Sequence, residues 1–264
     1  MPKNKLRTLL AVDIGNTTIS LGILRGKRVI GLHDIQTHLP RKRLRKALSA
    51  VLGKFKQKFL FEGVIICSVV PSVSPTVSGA IKQDLGVAPV LVGKEVSVPI
   101  INRYRNPQQV GQDRLVGAYA AIKIYGLPAI VIDLGTAITF DVVSKKGEYL
   151  GGIIVPGIRL SAESLFQKTA LIPRIDIVKP GALIGKDTQE SVLSGIFYGY
   201  GAMSRGLIAL LTKRLRIKPK VIVTGGYTSQ MRKYITAQMT KVDPHLVFKG
   251  LHLLWKQVCI KKKS

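Results

Sequence analysis

The sequence predicts an α/β protein built from two similar halves, each a mixed sheet with helices packed on it. Three observations lead there. Short apolar runs of strand length alternate with segments of helical period. The order strand, strand, strand, helix, strand, helix, strand recurs in the second half with one extra helix before its fourth strand. Val12-Asp13-Ile14-Gly15-Asn16-Thr17 is also matched 120 positions later by Ile132-Asp133-Leu134-Gly135-Thr136-Ala137. A six-residue match alone arises by chance; inside a repeated element order it indicates duplication.

In the first half, Leu9–Asp13 reads as a buried strand, and Thr17–Leu24 and Arg28–Asp34 as two more, turned at Gly26. A helix is expected over Arg41–Phe55, a buried strand over Gly63–Val69, a helix ending at Leu85 and a strand at Pro89–Val92. The second half repeats this with strands Ala129–Asp133, Ile138–Ser144 and Glu148–Val155, the last two joined by Lys145-Lys146-Gly147. Helices follow near Leu160–Gln167 and Thr188–Leu215, then strand Val221–Thr224 running into Gly225-Gly226. A further helix, a short strand near Leu246–Phe248 and a last helix over Leu251–Val258 complete it. The boundary is placed near residue 115, in a helix starting around Gln109, giving domains 1–115 and 116–264.

Composition bounds the function. The chain has 264 residues, 46% of them hydrophobic, enough for sizeable cores and against extensive disorder. Cys67 and Cys259 alone exclude a disulfide scaffold and a four-cysteine zinc site. Runs such as Ala129–Leu134 and Gly151–Ile158 fall far short of the roughly 20 residues a bilayer needs. No cleavable leader is expected, because Asp13 ends the apolar run after Lys3, Lys5 and Arg7. The expectation is a soluble, cytoplasmic protein with no membrane partner. The four histidines show no metal-ligand spacing, and Cys67 lies in a buried strand as a packing residue.

Charge is the unusual quantity: 41 Lys and Arg against 14 Asp and Glu, a formal +27. Residues 41–58 hold eight cations and no acid, with Leu44, Leu48, Val51 and Phe55 at helical spacing. That is an amphipathic helix with its cations toward solvent. Without a recognition motif a solvated surface is the plainer reading of this helix, while nonspecific polyanion binding stays open for the whole chain.

The Asp-x-Gly repeats carry the chemistry. A buried strand delivers a carboxylate at its end, and the glycine two residues on lets the backbone approach a phosphate with no Cβ in the way. Asn16, Thr17 and Thr18, or Thr136 in the second copy, add short donors, and the turn amides can form an anion-binding concavity. The carboxylate itself repels phosphate, so it works through a cation or an ordered water. Val221-Ile222-Val223-Thr224-Gly225-Gly226 ends a third strand in small residues on which adenine or ribose could lie. No Walker loop occurs. This trio resembles the phosphate-1, phosphate-2 and adenosine motifs of the acetate kinase, sugar kinase, Hsp70 and actin superfamily. The resemblance implies two ribonuclease H-like (actin-like ATPase) domains with mixed sheets and a nucleotide cleft between them.

Between the repeats lies Tyr104-Arg105-Asn106-Pro107-Gln108-Gln109-Val110-Gly111-Gln112-Asp113-Arg114. Turn formers place Asp113 and Arg114 near a helix start. A kinase with an alcohol substrate needs an acceptor for the hydroxyl proton, and an acidic substrate needs a cation, for which an arginine fork is suited. With Gly151-Gly152, Pro156-Gly157 and Gly185-Lys186-Asp187-Thr188, the segment closely resembles type III pantothenate kinases over about residues 9–250. The resemblance implies ATP-dependent phosphorylation of pantothenate to 4′-phosphopantothenate, the first step of coenzyme A biosynthesis, with Asp113 as the proton acceptor. It implies that Asp13, Ile14, Gly15, Asn16, Thr17, Thr18, Ile19 and Ser20, with Thr136, bind ATP, with magnesium near Asp13. It further implies that Tyr104, Gly111, Gln112, Asp113, Arg114 and Thr188 hold pantothenate, and that Asp133 binds potassium or ammonium. Family members usually carry alanine where Gln112 stands. A homodimer through the small-residue helices after Ser191 is also implied. The competing expectation is a catalytically idle homologue acting as a nucleic-acid-binding or transcription accessory protein. A sugar kinase is opposed by the short chain and by the Gly-x-Asp-Arg segment.

Overall fold

A computed structural model describes residues 6–235 and 240–261. These fold as two compact units. The first comprises the chain up to Ile100, Asn106–Ala120 and the segment from His245 onward; the second comprises Ile101–Arg105 and Ala121–Pro244. The changeover at Ala120 and the boundary expected at residue 115 both lie in the same helix. The units further differ from the expected domains in that the C-terminal helix joins the first and residues 101–105 join the second.

In the first unit, β1 (Leu6–Ile14), β2 (Thr18–Arg25) and β3 (Arg28–Gln36) form an antiparallel meander. Helix α1 (Arg41–Lys58) leads to β4 (Phe59–Ser68), parallel to β1, and α2 (Ser74–Leu85) leads to β5 (Val90–Leu91). The sheet order is β3-β2-β1-β4-β5. The chain continues through β6 (Ile101–Asn102), a 3₁₀ turn at Pro107–Gln109, and α3 (Gln112–Tyr125), which begins in the first unit and ends in the second. The second unit adds β7 (Ala129–Leu134), β8 (Ala137–Val143), β9 (Glu148–Pro156), α4 (Ile158–Lys168), α5 (Thr188–Leu215), β10 (Lys220–Thr224), α6 (Thr228–Ile235) and β11 (Thr240–Val242). Its sheet order is β11-β10-β7-β8-β9-β6. Read from the β9 side and leaving out β6, this is the order of the first sheet, so the short sequence repeat marks a duplicated architecture.

The central strands form because their residues are apolar on both faces: Leu10–Val12 and Ala129–Ile132 are all buried to within 2%. Helix α1 closes one face of the first sheet through Leu44, Leu48, Val51 and Leu52. The other face is closed by α3 and by α7 (Leu246–Lys261), whose Trp255 and Phe248 lie on Gly63 and Gly22. Each of these glycines makes room for an aromatic ring that a Cβ would strike. In the second unit, α4, α5 and α6 bury one face of the sheet around Phe140 and Phe197.

One expected element falls elsewhere. The strand expected near Leu246–Phe248 is the first turn of α7, and the strand parallel to β10 is β11 at Thr240–Val242. A three-residue apolar run has no usable period, and here the tertiary contact of Phe248 with Gly22 decides the outcome. Among the described residues no helix is long and apolar enough to cross a membrane.

Candidate functional site

Asp13 is the penultimate residue of β1, opposite Ser20 on β2 and beside Cys67 on β4. The Gly15 amide donates to the Thr18 carbonyl (3.0 Å), closing a hairpin that leaves Asn16 and Thr17 exposed. Thr37 braces it: its hydroxyl donates to the Gly15 carbonyl (2.7 Å) and its amide to the Thr17 carbonyl (3.0 Å). Ser20 donates to Asp34 (2.6 Å). Ile14 and Ile19 are fully buried in the core, so within Asp13–Ser20 these two offer a ligand backbone only.

The Gly-Gln-Asp-Arg segment forms the mouth of α3. Asp113 lies in its first turn, half-buried, and its Oδ1 accepts the Arg114 amide at 2.8 Å. Gly111 is required by contact: a Cβ there would overlap the Asp113 carboxylate and come within 3.2 Å of Val69. The Cys67 thiol, beside Asp13 in the sheet, is subject to the charge of both acids. Burial pushes its pKa well above the usual value, and the charges of Asp13 and Asp113 push it further in the same direction. Two carboxylates 100 positions apart therefore bear on one buried thiol, at the C-terminal edge of β1 and β4. Gln112 folds over the turn at Gly93 (φ +86°), where a Cβ would lie 3.0 Å from its amide carbon.

The second hairpin repeats the first. Asp133 is penultimate in β7, opposite Thr139 on β8 and beside Thr224 on β10, and the Gly135 amide donates to the Ala137 carbonyl (3.2 Å). Thr136 is exposed at the tip. Two glycines outside the proposed ligand set press on this loop. Gly157, at the start of α4, donates to the Thr136 carbonyl (3.0 Å) and has no room for a Cβ. Gly225, left-handed at φ +95°, lies against Asp133 and 2.6 Å, measured from a notional Cβ, from the Leu134 amide. Their signal in the sequence is a glycine directly after a strand, with a role that only the sheet order reveals. Asp141, buried on β8, accepts hydrogen bonds from Tyr149 (2.7 Å) and Thr139 (2.9 Å).

The remaining expected residues lie in the second unit. Tyr104 packs its ring on Gly151, 3.4 Å from where a Cβ would be. Thr188 is the first residue of α5 and exposed, and Gly185-Lys186-Asp187-Thr188 forms a helix cap. Asp187 accepts the Glu190 amide (2.7 Å), and Glu190 accepts the Lys186 amide (2.9 Å), which satisfies two donors at the helix start. Thr188 borders a groove of about 830 Å³ whose floor is Ser191, Gly195 and Gly199 of α5.

Chemically, each hairpin offers a carboxylate, backbone amides and short hydroxyls at the end of a sheet. Among the described residues no cluster of three or more metal-ligating side chains occurs. Magnesium carried by a nucleotide takes one or two protein carboxylates and completes its shell with phosphates and water. Asp13, with Asp113 nearby, fits that requirement.

Two duplicated mixed sheets, each ending in an Asp-x-Gly hairpin, define a nucleotide-binding protein of the actin-like ATPase and sugar kinase fold. Solved structures agree on the fold. A ROK family glucokinase from Streptomyces griseus, in complex with glucose and AMPPNP, superposes with a TM-score of 0.54 at 14% identity, over 94% of this chain and 99% of that one. A Baf family protein from Campylobacter jejuni superposes with 0.58 at 21% identity, over 95% and 98%. The family model for type III pantothenate kinase matches residues 9–210, and a type III pantothenate kinase from Persephonella marina is 44% identical over 227 residues, 83% of this chain and 87% of that protein. The chain belongs to the type III pantothenate kinase family.

Proposed function

We propose that the chain catalyses ATP-dependent phosphorylation of pantothenate to 4′-phosphopantothenate, the first step toward coenzyme A, in the cytoplasm. The observation that carries this is the meeting of two segments at the end of β4: Asp13 lies beside Cys67, and Gly111 lies against both Asp113 and Val69, two residues further on. That supports reading Asp13 as the phosphate-hairpin carboxylate and Asp113 as the alcohol-activating one, near the same end of β4. The family match then gives the substrate. An idle accessory protein would have no use for both carboxylates together with Arg114 and the second hairpin.

In this reading Asp113 accepts the proton of the primary hydroxyl, and Gly111, Gln112, Arg114, Tyr104 and Thr188 hold pantothenate. Asp13 to Ser20 and Thr136 bind the ATP phosphates, with magnesium near Asp13 to offset charge building on the transferred group. Asp133 takes a monovalent cation, potassium or ammonium. Phosphoryl transfer asks the protein mainly for positioning and charge stabilisation, which preformed hairpins provide. A coupled ADP-release assay tests this. Activity is expected with pantothenate, stimulated by potassium, and not with glycerol or hexoses. Equal turnover of glycerol would refute the substrate, and indifference to potassium would remove the cation from Asp133.

The proposal includes a homodimer through the α4–α5 face. Leu171 (89% exposed), Ile184 (80%) and Leu210 (65%) leave that side of the second unit apolar, beside the glycine-floored groove. A Cβ at Gly199 would meet nothing within 4 Å, so Gly199→Glu should leave the fold intact and yield monomers by light scattering. The +27 charge adds nonspecific affinity for polyanions.

A further inference from the structure

The helical layer over one face of the first sheet is more one-sided in charge than the composition requires. Helix α1 contributes eight cations and α2 contributes Lys82, against a single acid, Asp84. That acid is already engaged, because both terminal nitrogens of Arg45 bond to it at 2.8 and 2.9 Å. Lys56 donates to the Asp84 carbonyl (3.0 Å). Lys42, Arg43, Lys46 and Lys54 remain exposed, and among the described residues none of them is ion-paired.

These four lie on the side of α1 opposite Leu44, Leu48, Val51 and Leu52, interleaved with Ala50, Gly53 and Gln57. The outward face thus presents cations among small or neutral side chains, with no carboxylate. From Lys42 to Lys54 it runs about 18 Å, at 1.5 Å per residue. A duplex nucleic acid offers about ten phosphate charges over that length.

We propose that the outward face of α1 is a docking surface for the phosphate backbone of double-stranded nucleic acid, bound without sequence preference. This rests on the polyanion affinity proposed above and locates it. A membrane surface fits less well: helices that lie on bilayers bury an apolar face in the lipid, and the apolar stripe of α1 is already spent on the core. The outward face holds no aromatic or large apolar side chain to insert. Contact is therefore electrostatic, and dense regular phosphate charge is the matching partner.

The test is fluorescence anisotropy with a labelled 20-base-pair duplex across 50–200 mM NaCl, on the full chain. Three proteins are compared: wild type, Lys42→Gln/Arg43→Gln/Lys46→Gln/Lys54→Gln, and a charge-matched control, Lys213→Gln/Arg214→Gln/Lys218→Gln/Arg232→Gln, all exposed positions of the second unit. Each phosphate contact contributes about 0.9 to the slope of log K against log salt, so loss of four lowers it by about 3.6. At 0.1 M salt that is a weakening on the order of 10³-fold. The control is expected to bind like wild type, and both variants to keep pantothenate kinase activity, which shows them folded. Equal weakening of both variants would overturn the location while leaving the polyanion affinity. No duplex binding by wild type at 50 mM salt would overturn the affinity itself. Binding to phosphatidylglycerol vesicles but not to duplex would overturn the choice of nucleic acid.

Discussion

Replacing Gly111 by alanine adds one carbon that would overlap Asp113 Oδ1, lie 3.5 Å from its Cγ and press on Val69 at 3.2 Å. Gly111 is not in the left-handed region, so alanine suits the backbone and the conflict is purely one of contact. The carboxylate is the part free to yield. Restoring ordinary separation moves it by about 1 Å and disturbs its hydrogen bond from the Arg114 amide. A misplacement of about 1 Å costs on the order of 10²-fold in rate, or about 2.7 kcal/mol of barrier. In the coupled ADP-release assay Gly111→Ala should lose about that factor in kcat with pantothenate. The KM for ATP should move little, because the Asp13 hairpin is untouched. Circular dichroism and Tm would establish that the fold persists. A folded variant with wild-type kcat would show that Asp113 need not hold this position.

Three further outcomes follow from particular contacts. Burial, then the bond to Asp243 (2.8 Å), pushes the Tyr125 hydroxyl up to about 12. Because the folded value is raised, its stabilisation is whole below pH 10 and is lost as pH climbs toward 12. Urea melts should show the stability gap between wild type and Tyr125→Phe shrinking over that window; a constant gap would contradict the assignment. The Cys67 thiol is fully buried and held protonated, while Cys259 is half-buried, so Ellman's reagent at pH 8 should titrate at most one thiol natively and two in denaturant. Two fast native thiols would refute the burial of Cys67. Gly225→Ala forces a side chain into a left-handed backbone and against Asp133. It should abolish potassium stimulation and lower Tm by several degrees; an unchanged response would separate Gly225 from Asp133.

The duplicated fold is legible in the sequence because its signals are local. Strands buried on both faces read as apolar runs, the hairpins are marked by Asp-x-Gly, and the Thr188–Leu215 helix is legible along its length, although its Asp187 and Glu190 cap emerges only in the structure. What is illegible depends on residues far apart in sequence. Nothing near Leu246 says that α7 returns to the first sheet, since the information lies in the fit of Trp255 to Gly63 and of Phe248 to Gly22. Cys67 reads as plain packing, and its place beside Asp13 emerges only from the register of β4 on β1. Nor does the sequence show that the Gln112 side chain runs along the Gly93 turn. The basic stretch 41–58 gives its helix and its lack of acids, but not that Asp84 of α2 is already bonded to Arg45.

The most direct test of the whole account is single-turnover phosphorylation of pantothenate by Asp113→Asn, with ATP affinity measured separately by calorimetry. Losing the proton acceptor should slow transfer by about 10²–10⁴-fold while ATP binds as in wild type. Transfer at nearly the wild-type rate by this folded variant would contradict it.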